Sequence, residues 1–166
     1  MKCMKFTQHL VSLLGTGLVF SLLMNHKPAL AQVAYGSYVG VGPTVDTQNG
    51  QVGGILAFRY KLLEAPVSFR TQALIGKGTA VVPTVSYDVP INWQTDIYLG
   101  AGVVLTSGDT PSPVGNKISF ALQPGIDYTI PNSSAVIFGN AIIAFDAYRN
   151  SSSTAVSIQG GVGLRF

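Results

Sequence analysis

Pro83-Thr84-Val85-Ser86-Tyr87-Asp88-Val89-Pro90 and Pro124-Gly125-Ile126-Asp127-Tyr128-Thr129-Ile130-Pro131 share the pattern P-x-[VI]-x-Y-x-[VI]-P. In each copy apolar residues alternate with Thr, Ser, Asp or Gly. That period of two is the mark of a strand with one apolar and one polar face. Tyr60 and Phe166 continue the series, so Tyr60, Tyr87, Tyr128 and Phe166 hold apolar-face positions near the ends of alternate strand-like segments. A repeated hairpin would place all four at one rim of a sheet. Aromatic residues suit a membrane–water boundary because the ring is apolar and a Tyr hydroxyl reaches water. Aromatics are also common in ordinary sheets; recurrence on alternate strands is what favours a girdle.

Working outward, eight segments alternate in this way, over roughly 35–45, 52–62, 67–76, 79–89, 93–105, 117–130, 135–148 and 154–166, with turn residues between them. Most are longer than the usual globular strand of about five or six residues, and they match the roughly 9–11 residues that a tilted strand needs to span a bilayer. In the second, Leu56, Phe58, Tyr60 and Leu62 oppose Ala57, Arg59 and Lys61. In the sixth, Ile118, Phe120, Leu122, Ile126, Tyr128 and Ile130 oppose Ser119, Gln123, Asp127 and Thr129. A soluble sandwich or a lipocalin-like barrel would also alternate, with the apolar face inward. Here the other face is rich in Gly, Ser and Ala and poor in Lys and Glu, which soluble sheets use for solubility and edge protection. Turned inside out, with the large apolar side toward lipid, the pattern is coherent. Lipid leaves no backbone group unpaired, so the sheet must close. The fold predicted is an all-β, eight-stranded, antiparallel up-and-down transmembrane β-barrel over residues 32–166.

Residues 1–31 read differently. Lys2 and Lys5 precede an apolar run from Leu10 to Met24, and Ala29-Leu30-Ala31 ends it with small residues, the three-part layout of a secretory signal peptide. The run falls short of the ~20 residues of a spanning helix. Removing this leader takes Lys2, Lys5 and Lys27 with it, leaving seven basic residues against seven acids. The formal neutrality gives no reason to expect nucleic acid. Cys3, His9 and His26 also go, which excludes disulfides, thiol chemistry and Cys/His metal sites from the remainder.

With the leader, the strand pattern and the ending Val162-Gly163-Leu164-Arg165-Phe166, the chain resembles the small outer-membrane β-barrel proteins typified by the OmpA transmembrane domain and OmpX. The resemblance covers residues 33–166. It implies a location in the bacterial outer membrane, a lipid environment, a monomer, and a terminal motif of Val162, Leu164 and Phe166 that looks like the signal read by the barrel-assembly machinery. Pro83 and Pro124 depart from it, because each forfeits a ladder hydrogen bond inside a strand; their matched positions suggest bulges. The connections are also short. Thr106 to Asn116 is the one loop expected to have room for a partner.

The polar face places Arg59, Arg70, Asp96, Asp127 and Arg165 in the lumen as ion-pair candidates, with Asp88 and, less regularly, Lys61 and Asp146. Paired carboxylates can do acid–base work. However, an eight-stranded barrel is only wide enough to be filled by side chains, and balanced charge there reads as a packed network. Barrel enzymes of this class generally depend on a histidine, and serine without a base is a weak nucleophile. No catalytic, cofactor or metal site is therefore expected. The function expected is a structural or surface role in the envelope, with a narrow porin-like channel and a soluble periplasmic lipocalin-like carrier as alternatives.

Overall fold

The structure is a computed structural model describing residues 36–62, 64–108 and 110–166; the expected leader lies outside these residues. Eight strands follow one another: β1 (Tyr38–Asp46), β2 (Val52–Lys61), β3 (Val67–Ile75), β4 (Thr79–Pro90), β5 (Thr95–Ser107), β6 (Ser119–Thr129), β7 (Ala135–Phe145) and β8 (Ala155–Arg165). Each pairs antiparallel with the next, and β8 closes on β1. The result is the predicted eight-stranded up-and-down barrel. Tight turns over 62–66, 91–94 and 130–134 lie at the end that carries Tyr60, Tyr87, Tyr128 and Phe166; connections over 47–51, 76–78, 108–118 and 146–154 lie at the other. Two predicted boundaries need correction. Trp93 belongs to the β4–β5 turn, where Ile91 and Asn92 N–H groups bond the carbonyl of Thr95. β7 stops at Phe145, because Asp146 takes a positive φ of 54° that breaks the ladder.

The pleat sends Val41, Leu56, Phe69, Val85, Leu99, Ile126 and Val162 outward, where all are about half exposed, while Leu74, Val82, Gln123 and Ser157 face inward and are buried. Strands of 9 to 13 residues, at ~3.3 Å per residue and tilted by ~40°, give an apolar band about 25 Å tall. The carbonyl and amide groups of every strand have a neighbour on both sides, so no sheet edge is left open.

Pro83 and Pro124 are not bulges. The β4–β5 register runs unshifted from Val81↔Leu105 to Thr84↔Gly102, and β6–β7 runs unshifted from Leu122↔Ile143 to Gly125↔Asn140. Pro43 does the same between Val41↔Val162 and Thr44↔Gln159 at the closing seam. Each proline faces outward and simply omits a donor, so the ladder skips two positions and resumes. The carbonyls of Val103, Ala141 and Gly160, opposite the three prolines, lose the ladder donor. At one such gap the chains crowd together: a Cβ on Gly102 would stand 2.0 Å from the Pro83 carbonyl oxygen.

The inward glycines accept aromatic rings. A Cβ on Gly125 would meet the Tyr98 ring at 2.4 Å, and one on Gly40 or Gly161 would meet Phe138 at 2.6 Å. Tyr38 stacks on Phe138 with ring centroids 5.6 Å apart. These glycines make room for large side chains in a narrow lumen. Gly102→Ala and Gly125→Ala are thus expected to lower unfolding stability by about 1–3 kcal/mol through overpacking. Gly54→Ala, whose nearest new neighbour would be 3.9 Å away, should change it by no more than about 0.5 kcal/mol. Urea midpoints of the folded protein measure all three.

Candidate functional site: the filled lumen

The most chemically distinctive place in the molecule is the girdle-end half of the lumen. Arg59 on β2 and Arg70 on β3 are direct cross-strand partners. Asp96 on β5 and Asp127 on β6 are likewise direct partners. Like charges side by side on a sheet repel. Closure brings the two sets together across the barrel. Arg59 Nη2 lies 2.6 Å from Asp88 and 2.9 Å from Asp96, and its Nη1 lies 2.9 Å from Asp127. Arg70 Nη2 contacts Asp127 at 2.8 Å and Asp88 at 3.3 Å. Lys61 reaches Asp96 at 2.9 Å. Three cations therefore meet three anions, and the cluster is neutral.

Hydroxyl groups fill the remaining valences. Ser86 donates to Asp88 at 2.8 Å, and Ser68 also donates to Asp88. Arg59 Nε and Arg70 Nε donate to Ser68 and Ser86. The Tyr38 hydroxyl donates to Asp127 at 2.9 Å. Arg70 also lies over the Tyr98 ring, 3.3 Å from its centroid, a cation–π contact that desolvation strengthens. A buried ion pair holds only when such partners compensate for lost hydration. Here they do.

Toward the other end the lumen changes character. A layer of Thr84, Gln123, Ser157 and Gln159 follows, with Thr84 donating to Gln123 at 2.6 Å and Gln159 to Ser157 at 2.9 Å. Beyond it Ile55, Leu74, Val82, Val104, Ala121 and Ile142 form a small apolar core. The connection over 108–118 folds into it: Val114 is fully buried there with Ala147. Ser112 and Gly115 bridge each other, Gly115 adopts a φ of 98° against the Ala147 carbonyl, and Asn116 N–H bonds the same carbonyl at 2.9 Å. Only glycine fits that conformation at that distance. Tyr148 donates to Gln48 at 3.2 Å; burial and the neighbouring Asp46 carboxylate push its phenol above the usual range, which keeps it a donor. At the end that carries Tyr60 and Tyr128 lies a recess of about 40 Å³, bordered by Lys61, Trp93, Asp96 and Thr129, room for about one water.

Of the predicted lumen residues, Arg59, Arg70, Asp96 and Asp127 come together as one cluster, joined by Asp88 and Lys61. Arg165 does not join them: it stands at the rim, and its guanidinium donates to the Ser133 carbonyl in the β6–β7 turn. Asp146 pairs with Lys117 in the opposite connections, half exposed. The loop expected to be free for a partner instead plugs the barrel. Tyr60, Tyr87, Tyr128 and Phe166 all face outward at one end, and Phe166 stacks on Phe58 at 6.1 Å. Val162 and Leu164 lie on that same outward face. Unpredicted members are Tyr38, Ser68 and Ser86 inside, and outside a stacked pair, Phe120 and Phe145, at the far rim with centroids 6.1 Å apart.

A closed, filled, eight-stranded antiparallel barrel with an apolar exterior is the class that fold and lumen define. Among solved structures the chain is similar to a de novo designed transmembrane β-barrel, with a TM-score of 0.56 at 10% identity over 86% of this chain and 100% of that one. At that identity the likeness is one of fold. No family model matches the chain, and no curated protein matches it.

Asp127 holds both guanidinium groups at once. Asp127→Ala is expected to cost about 3–5 kcal/mol of folding stability, because Asp88 would then be the one carboxylate touching both buried guanidinium groups and the cluster would carry an excess positive charge. Arg70→Met combined with Asp127→Leu should recover part of that loss, and Asp96→Ala, at a wetter position, should cost less than Asp127→Ala. Denaturant titration of the three variants gives the order.

Proposed function

We propose that this protein is a small outer-membrane β-barrel of the OmpA-transmembrane-domain and OmpX type, with a structural or surface role in the bacterial envelope. The observation that carries this reading is the inversion of the barrel: half-exposed Val, Leu, Ile and Phe cover the outside while Arg59, Arg70, Asp88 and Asp127 are buried within. In water an apolar exterior of this extent would drive association. In a bilayer it is the correct solvent exposure, and the neutral ion cluster is shielded from lipid by the wall.

Several further features fit. The leader expected over 1–31 supplies export, and Val162, Leu164 and Phe166 present an alternating apolar ending of the kind the barrel-assembly machinery reads. The partners proposed are membrane lipids and that machinery, with a monomer as the working unit, no nucleic acid and no cofactor. The role proposed is not catalytic. No histidine or cysteine follows residue 26, and the three lumen carboxylates are each held by a guanidinium or ammonium group. The buried ion cluster at one end and the buried apolar residues around Val114 at the other support this over the channel reading. They disfavour a lipocalin-like carrier, which needs an apolar cavity inside.

Two measurements test the proposal. Unboiled protein should migrate differently from boiled protein in a denaturing gel and should remain with the outer-membrane fraction after a carbonate wash; identical migration with release into the periplasmic wash would overturn it. Planar-bilayer recordings should show no regular step-like conductance. Steps that disappear in Arg59→Ala or Asp127→Ala would instead favour the channel.

A further inference from the structure

Trp93 is the single tryptophan of the chain, and although it borders the recess at the lumen mouth it is 94% exposed. It belongs to an exposed apolar series along one hairpin. Below Tyr87, at the level where the other strands end, β4 continues with outward Val89 and then Ile91, which is 59% exposed. The other girdle-end turns behave differently. Beyond Tyr60 comes half-buried Leu62, then a turn carrying Glu64; beyond Tyr128 come half-buried Ile130 and the polar run Asn132-Ser133-Ser134. β4 also runs on to Pro90, three residues past Tyr87, which pairs with the first residue of β3.

The extension is rigid and uncharged. Ile91 N–H bonds the Thr95 carbonyl at 2.9 Å, Gln94 N–H bonds Asn92 Oδ1 at 2.9 Å, and Thr129 N–H ties the Gln94 carbonyl to β6 at 2.7 Å. Residues 89–95 contain no Asp, Glu, Lys or Arg. A held turn that presents Ile and Trp to solvent without a charge is poorly suited to water. Trp is the residue best suited to the headgroup layer, where the indole is half wet and its N–H finds acceptors.

We infer that the β4–β5 turn is an interfacial lipid anchor: Ile91 and Trp93 prolong the apolar band on one side of the barrel and seat in the headgroup layer at the girdle end. The partner is the membrane–water interface. The turn's continuity with the apolar exterior through Val89 argues for lipid rather than for a protein. The inference rests on the membrane-spanning reading. An uneven band also means that the barrel sits tilted, lower on the β4–β5 side, since a longer apolar stretch is accommodated by tilt.

The single tryptophan makes the test direct. The protein is folded into phosphatidylcholine vesicles whose lipids carry bromine either high on the acyl chain, near the headgroup, or near the chain end. Trp93 emission should be blue-shifted from that of free tryptophan, and quenched more strongly by the shallow bromines than by the deep ones. In a second protein, Trp93→Phe with Leu99→Trp, the mid-band indole should be quenched more strongly by the deep bromines. Water-like emission from Trp93 with no quenching by either lipid, while the Leu99→Trp protein responds, would overturn the anchor and leave the spanning barrel intact. That is also the result expected if the indole lies over the lumen mouth. Blue-shifted Trp93 emission that ignores brominated lipid but depends on protein concentration would mean a second copy covers the turn, and would likewise overturn it. Silence from both proteins would remove the membrane reading and the anchor together.

Discussion

Everything in this barrel depends on pairing charge across a closed ring of strands. Arg59 beside Arg70 and Asp96 beside Asp127 are unfavourable neighbours in an open sheet. The same residues become complementary once β8 meets β1 and the two sides of the wall face each other. Closure and neutralisation are therefore one event: a partly closed sheet would carry two adjacent cations, two adjacent anions and an unpaired edge at the same time. Hydroxyls from Ser68, Ser86 and Tyr38 fix the geometry, so that the cluster is a connected network rather than a set of separate pairs. The wall between cluster and exterior is one residue thick, which is why strict alternation matters at this end.

At the other end the constraint changes from charge to volume. The inward face becomes apolar, and Val114 from the 108–118 connection completes a small core. The lumen thus holds two unlike devices in series, a polar clasp and an apolar cluster. Glycines permit both. They let Tyr38, Tyr98 and Phe138 lie against the opposite wall and let strands approach closely beside outward prolines. Each proline removes one backbone bond, yet the registers on either side remain aligned, so the fold tolerates three gaps without a shift of face.

Much of the architecture was legible because alternation is a local signal. Strand count, turn positions, the outward placement of Tyr60, Tyr87, Tyr128 and Phe166 and that of four of the five proposed lumen residues inside follow from parity alone. Parity failed where a second influence competes. Val81-Val82, Val103-Val104, Leu74-Ile75 and Ile142-Ile143 put apolar residues on both faces, and a period-two reading that assigns the greasy side outward misses the plug they build. Those doublets were the signal available. Arg165 has inward parity but is the last residue of β8, where a long side chain bends to the nearest turn carbonyl. Trp93 was read into β5 because its apolar character continues the strand pattern; backbone bonds around Asn92 and Thr95 decide otherwise, and they are invisible in composition. The prolines looked like bulges because bulges and missing donors leave the same trace in sequence; only register separates them.

The claim that governs all of this is the direction in which each face looks. The most direct measurement is nuclear magnetic resonance of the methyl-labelled protein in lipid nanodiscs, reading cross-relaxation between acyl-chain protons and side-chain methyls. The account predicts contacts from acyl chains to Val41, Leu56, Val85, Leu99 and Val162, and none to Leu74, Val82, Val114 or Ile142. Contacts to the second set, or water in place of lipid around the first, would contradict it.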